Sequence, residues 1–198
     1  MRYGTNRPEG LPKRILKGLL YYIIGVVMNM WFVTVMTGLM MENLFIKLAV
    51  GIAAEIIVNG LFFNYAYNAA CLDRELVKFH GMEKDRYMSL KMALIAPIFG
   101  YIMTVMLGLA KAGAFNGTLL GERGFNYYIL LNLHALPWIA MFTDERSIEH
   151  LTWAGYGGIV FLQLIEPAVI ALTYELTFRN IDIKEKFLYG KKNTDKKA

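Results

Sequence analysis

The chain is 198 residues long, 56% hydrophobic and 14% aromatic, with a mean hydropathy of +0.38 and a formal net charge of +5. That apolar share exceeds the roughly 45–50% of soluble domains, and a soluble domain of this size has no interior large enough to hide it. The single cysteine, Cys71, excludes an intramolecular disulfide and any multi-cysteine metal site.

The basic leader MRYGTNRPEGLPKRILK precedes an apolar run that is longer than a signal-peptide core and lacks a small-x-small cleavage site. It reads as a retained first span over about 18–40. Pro12 suits the first turn of a helix, and Lys13, Arg14 and Lys17 fall where anionic lipid headgroups meet such a helix. The second run covers 44–71, and its helix is expected to continue to His80, with Gly81 as a left-handed stop.

The segment LDRELVKFHGMEKDRYMSLK mixes Asp73, Glu75, Glu83 and Asp85 with five basic residues. Mixed charges at helical spacing read as a solvated face. Leu72, Leu76 and Phe79 add an apolar line at the same spacing, which makes Asp73, Arg74, Lys84 and Asp85 candidates for docking a partner protein.

A third run covers 91–112. The hexapeptide Thr34-Val-Met-Thr-Gly-Leu39 recurs 70 residues later as Thr104-Val-Met-Leu-Gly-Leu109, which suggests two parallel helical hairpins. Gly38 and Gly108 would allow close helix contact in either span. The stretch 127–142, interrupted by Asn132, His134 and Pro137, is too short to cross and reads as a re-entrant or interfacial half-helix on the outer side. His80 and His134 both read as structural.

After it, DERSIEH holds Asp144, Glu145, Glu149 and His150; Glu145 and Glu149, four apart with like charge, could gather a divalent cation with their hard oxygens, although a hydrated loop is the simpler account. The last span covers 153–177, and 179–198 forms a basic, partly disordered tail. The expected fold is therefore all-α: an integral membrane bundle of four transmembrane helices plus one short re-entrant or interfacial helix.

The stretch DRELVKFHGMEKDRYMSLKMALIAP, a Lys-x-Gly at Lys111 and Gly113, and NYYILLNLHALPW together resemble a set of small uncharacterised membrane proteins of Gram-positive bacteria. The likeness covers about 72–142, leaves the first and last spans unmatched and implies a charged loop before an apolar span, but no activity.

Orientation follows the Lys and Arg bias of short loops. Five such residues lie in 1–17, five in 72–91 and seven in 178–198, against only Lys47, Lys111, Arg123 and Arg146 elsewhere. Four crossings put both termini and the central segment in the cytoplasm of a bacterial cell. A fifth crossing through 127–142 would export the basic tail and nearly cancel the bias.

Two carboxylates remain at mid-depth, Glu55 about eleven residues after Leu44 and Glu166 about thirteen after Trp153. A charge at the bilayer centre costs about 2.5–3.5 kcal/mol on insertion scales and usually faces the bundle interior. Asn59 lies one turn from Glu55, and Gln163 lies three residues before Glu166. Pro167 removes the donor for the Gln163 carbonyl, so the turn at Glu166 exposes an acceptor suited to a proton or cation. Asn29, Tyr101 and Thr104 are candidate partners from other spans.

No HExxH, GxSxG or phosphate-cradling glycine loop occurs, and no cysteine–histidine pair is placed for nucleophilic catalysis. Neither a catalytic function nor a cofactor is expected. Aromatic residues among the bases are too sparse for nucleic acid, so the expected partners are lipids and a membrane protein or a second copy. The leading expectation is ion or small-solute transport centred on Glu55, Asn59, Gln163, Glu166 and Pro167. The alternative is a non-transporting subunit or regulator that binds through residues 72–91.

Overall fold

The structure, a computed structural model, describes residues 10–40, 43–114, 126–142 and 150–179. The DERSIEH acids and most of the basic tail lie outside them. Among the described residues the chain is helical throughout, with no strand.

Helix α1 covers Leu11–Met40 and α2 covers Leu44–His80. The first begins seven residues earlier than its apolar run, because Pro12 and the basic turn after it are already helical. The second is capped at its start by Asn43, whose side chain accepts from the Phe45 amide at 2.9 Å. It ends where Gly81 adopts φ +64°, as expected from a glycine stop.

The third expected span is not one continuous helix. It consists of α3, Met88–Ile95, and α4, Ile98–Lys111, bent by 53° at Ala96 and Pro97. Pro97 cannot donate to the carbonyl of Ala93, and the Tyr101 hydroxyl, one turn further along, donates to that carbonyl at 3.0 Å instead. The bend is thus built with its freed acceptor satisfied.

A short helix, α5, covers 126–131. A 3-10 turn, Leu133–Ala135, joins it to α6, Leu136–Phe142. The last expected span is one continuous helix, Trp153–Phe178, in which a single turn residue, Leu164, separates α7, Trp153–Gln163, from α8, Ile165–Phe178, three residues before Pro167. Three helical stretches, Leu11–Met36, Leu44–His80 and Trp153–Phe178, are long and apolar enough to cross a membrane, and α3 with α4 makes a fourth if the bent pair is one span.

The interior is divided into three packed clusters. Tyr22, Phe62, Ala93 and Ile170 belong to the largest, which binds α1, α2, α3 and α8 together. Leu107, Tyr128, Ile139 and Ile159 join α4 to α7. Val33, Ala54 and Leu136 seat α6 on α1 and α2. Outward-facing positions such as Trp31, Val35, Ile56 and Phe161 are apolar and exposed, as a hydrocarbon surround requires.

The two similar hexapeptides occupy different surroundings. A Cβ on Gly108 would collide with the Tyr156 ring, whereas one on Gly38 meets nothing within 4 Å among the described residues. Lys47 and Lys111 donate to the carbonyls of Ala140 and Leu151 respectively.

Candidate functional site

Gln163 and Glu166 stand on one helical face, three residues apart, at the turn where Pro167 leaves the Gln163 carbonyl without its helical donor. Gln163 Nε2 donates to Glu166 Oε2 at 2.8 Å. Glu166 is fully buried and Gln163 nearly so.

The other oxygen of Glu166 faces His134, delivered by the 3-10 turn. His134 Nε2 stands 3.3 Å from Glu166 Oε1, within ion-pair distance. That oxygen nonetheless accepts no aligned hydrogen bond, and Gln163 Oε1 also lacks a donor. Two adjacent buried acceptors are therefore left unmet, which is costly in an apolar interior unless a proton or cation arrives.

Neighbouring elements enclose the pair. The Tyr22 hydroxyl of α1 donates to the Leu131 carbonyl at 2.9 Å and lies 3.4 Å from Asn132 Oδ1. Asn132 Nδ2 in turn donates to the Tyr128 carbonyl at 3.3 Å. On the α4 side the backbone at Gly100 presses against both amides: a Cβ there would lie 2.6 Å from Gln163 Nε2 and 3.1 Å from Asn132 Oδ1. Only glycine lets α4 approach this closely.

Glu55 forms a separate group on α2. Asn59 Nδ2 donates to Glu55 Oε2 and to its backbone carbonyl, both at 3.0 Å. The Trp138 indole packs on Gly51, one turn earlier. Glu55 Oε1, Asn59 Oδ1 and Trp138 Nε1 make no aligned hydrogen bond among the described residues, although the Trp138 indole N–H is near enough to interact with the Glu55 carboxyl. No hydrogen bond or ion pair joins Glu55 to Glu166, although the two carboxyls lie within electrostatic reach.

The other proposed partners serve the backbone. Asn29 Nδ2 donates to the Ala54 carbonyl at 3.4 Å, Thr104 Oγ1 to Gly100 at 2.8 Å, and Tyr101 to Ala93. Each of these bonds goes to a main-chain carbonyl and not to a carboxylate.

At the charged end of the bundle the four residues expected to dock a partner are engaged within the chain. Arg14 grips Asp73 through both guanidinium nitrogens, and the Tyr174 hydroxyl donates to the same carboxylate at 2.5 Å. Arg14 is buried, so it does not lie among lipid headgroups as its place in a basic cluster implies; Asp73 pulls it inward. Arg74 donates to the Thr177 carbonyl at 3.3 Å, Lys84 pairs with Glu175 at 2.9 Å and Asp85 pairs with Lys91 at 2.7 Å.

Sequence reasoning named Asn132 and His134 only as interruptions of 127–142 and read His134 as structural, and it did not single out Tyr22 or Gly100. The available signal was a histidine two residues after an asparagine in a hydrophobic stretch too short to span. Among the described residues no group of three metal-ligating side chains occurs. Compared with known proteins, the chain matches no family model, no curated protein and no solved structure.

Proposed function

We propose that this chain moves an ion or a small solute across a bacterial cytoplasmic membrane, with Glu166 and His134 as the centre of the path. In this reading α1, α2, the bent α3 and α4 pair, and α7 running on into α8 make four crossings, arranged as two hairpins. Residues 126–142 form the re-entrant segment, and the Lys and Arg bias keeps both termini in the cytoplasm.

One observation carries the reading: a carboxylate with no exposed surface has an unmet oxygen 3.3 Å from an imidazole, beside a proline inside a membrane-length helix. Ionisable pairs at such depth mark ion pathways and proton relays, because hydrocarbon tolerates them only where a function or a partner repays the burial. Prolines at mid-depth suit such sites, since the carbonyl they leave without a helical donor is free to line a path. Glu55, with its own unmet acceptors, is the second polar station. The subunit alternative draws no support from Asp73, Arg74, Lys84 and Asp85, all of which have intramolecular partners.

The test is flux into vesicles of phosphatidylethanolamine and phosphatidylglycerol containing the purified chain, across a panel of monovalent cations and small solutes. The double variant Glu55→Gln, Glu166→Gln, monodisperse and helical by circular dichroism, is expected to carry none. Equal flux in both proteins would sink the assignment.

A further inference from the structure

We infer that the moving ion is the proton, held between Glu166 Oε1 and His134 Nε2. This rests on the transport reading above and names its substrate.

The argument begins with what surrounds the unmet oxygen. Alkali and alkaline-earth cations need a shell of several oxygens. Here an imidazole nitrogen stands 3.3 Å from Oε1, close enough to occupy space where such a cation would sit. An imidazole is a poor ligand for a hard cation and repels it outright once protonated. A proton suits the same place, because on Oε1 it turns an orphaned acceptor into a donor with Nε2 as the acceptor opposite.

The step is a balanced transfer. Imidazolium and carboxylate become neutral imidazole and carboxylic acid as the Nε2–H bond breaks and the Oε1–H bond forms. The imidazole is recharged from water on one side of the membrane, and the carboxylic acid releases its proton to water on the other. Oε2 stays fixed throughout by the Gln163 amide at 2.8 Å, so the carboxyl does not rotate away between loadings.

The groups that bear on this equilibrium are few. Tyr22 from α1, Glu55 from α2, Tyr101 from α4 and Tyr128 from α5 lie within electrostatic reach of Glu166. From α3, Lys91 is paired with Asp85 at the charged end. Among the described residues, then, only Glu55 competes with Glu166 as a carboxyl inside the bundle. The two cannot hold full negative charge together in so apolar a setting.

The experiment uses the full chain in phosphatidylethanolamine and phosphatidylglycerol vesicles with a trapped pH dye. A potassium gradient and valinomycin supply the driving potential. The expected result is proton uptake that is unchanged when sodium is replaced by choline. Uptake should fall about 100-fold in both Glu166→Gln and His134→Gln, the lower end of what a positioned proton-transfer group contributes. Glu166→Asp, which keeps the acid, should retain part of the rate.

Infrared difference spectra on changing pH should show a carboxyl band that is lost in Glu166→Gln and displaced in His134→Gln, a signature that mere loss of packing would not produce. Flux that follows a sodium gradient and ignores pH overturns the proton while leaving transport standing. Proton uptake unchanged in both variants overturns this site. Absence of any flux from folded wild-type protein overturns both the inference and the reading beneath it.

Discussion

Arg14 and Asp73, 59 positions apart in sequence, meet as a guanidinium fork on a carboxylate, with Nη1 donating to Oδ2 at 2.6 Å. The pair fastens the start of α1 to the extension of α2, and Tyr174 ties α8 to the same carboxylate. Breaking a buried pair leaves one charge stranded. Asp73→Asn is expected to cost about 3 kcal/mol, near the low end for such pairs because the Asp73 side chain keeps 14% exposure. Replacing both partners, as Arg14→Met with Asp73→Leu, should recover most of that loss. Unfolding in mild detergent across the double-mutant cycle reads the difference.

Gly100 and Gly60 make a matched comparison, since both are helical but only one is crowded. Gly100→Ala would push the Gln163 amide off Glu166 and is expected to cost about 1–3 kcal/mol, with loss of flux. Gly60→Ala meets nothing within 4 Å among the described residues and should be neutral or gain up to about 1 kcal/mol. Thermal unfolding and vesicle flux, measured on both variants, separate crowding from helix propensity.

The bend at Pro97 is held by one phenol. Tyr101→Phe removes the donor to the Ala93 carbonyl and should cost about 1–3 kcal/mol, the penalty for a polar group left unpaired away from water. Pro97→Ala returns a backbone donor to that carbonyl, and spin labels on α3 and α4 should then report an angle smaller than 53°.

Asp85, in the loop between α2 and α3, responds to pH in a direction its contacts dictate. The Lys91 ammonium at 2.7 Å and the Tyr87 amide at 2.9 Å both favour its charged form and hold its pKa below the ordinary aspartate value. A depressed folded pKa contributes stability above the unfolded value of about 3.9 and loses it as pH falls through the folded one. Because the Asp85 side chain keeps 36% exposure, solvent screens the pair and the effect on folding is small. It is best read by NMR titration, where Lys91→Met should return the Asp85 midpoint toward the ordinary range.

The apolar runs made the helices legible, and Gly81 marked the end of α2 because a left-handed residue has few sequence substitutes. Glu166 and its partner Gln163 were legible too, since i, i+3 spacing and a proline fix their relation locally. His134 was not, because its importance depends on where a short 3-10 turn docks against α8, and no local pattern encodes that distance. Arg14 was misplaced for a related reason. A basic residue near the start of a span reads as a headgroup contact until a carboxylate from another helix is known to face it. Pro97 lay in plain sight, but a proline in an apolar run does not by itself disclose whether the helix kinks or stops.

The length of α2 has a mechanical consequence. At about 1.5 Å per residue its unbroken 37 residues make a rod of roughly 55 Å, against about 30 Å of hydrocarbon. Glu55 and Asp73 lie roughly 27 Å apart along it. A tilt of only 10° pivoting near Glu55 would therefore carry Asp73 sideways by about 5 Å, more than the reach of its bonds to Arg14 and Tyr174. The rod is a lever arm: small adjustments beside the inner acid become, at its far tip, the difference between a clasped and an unclasped bundle.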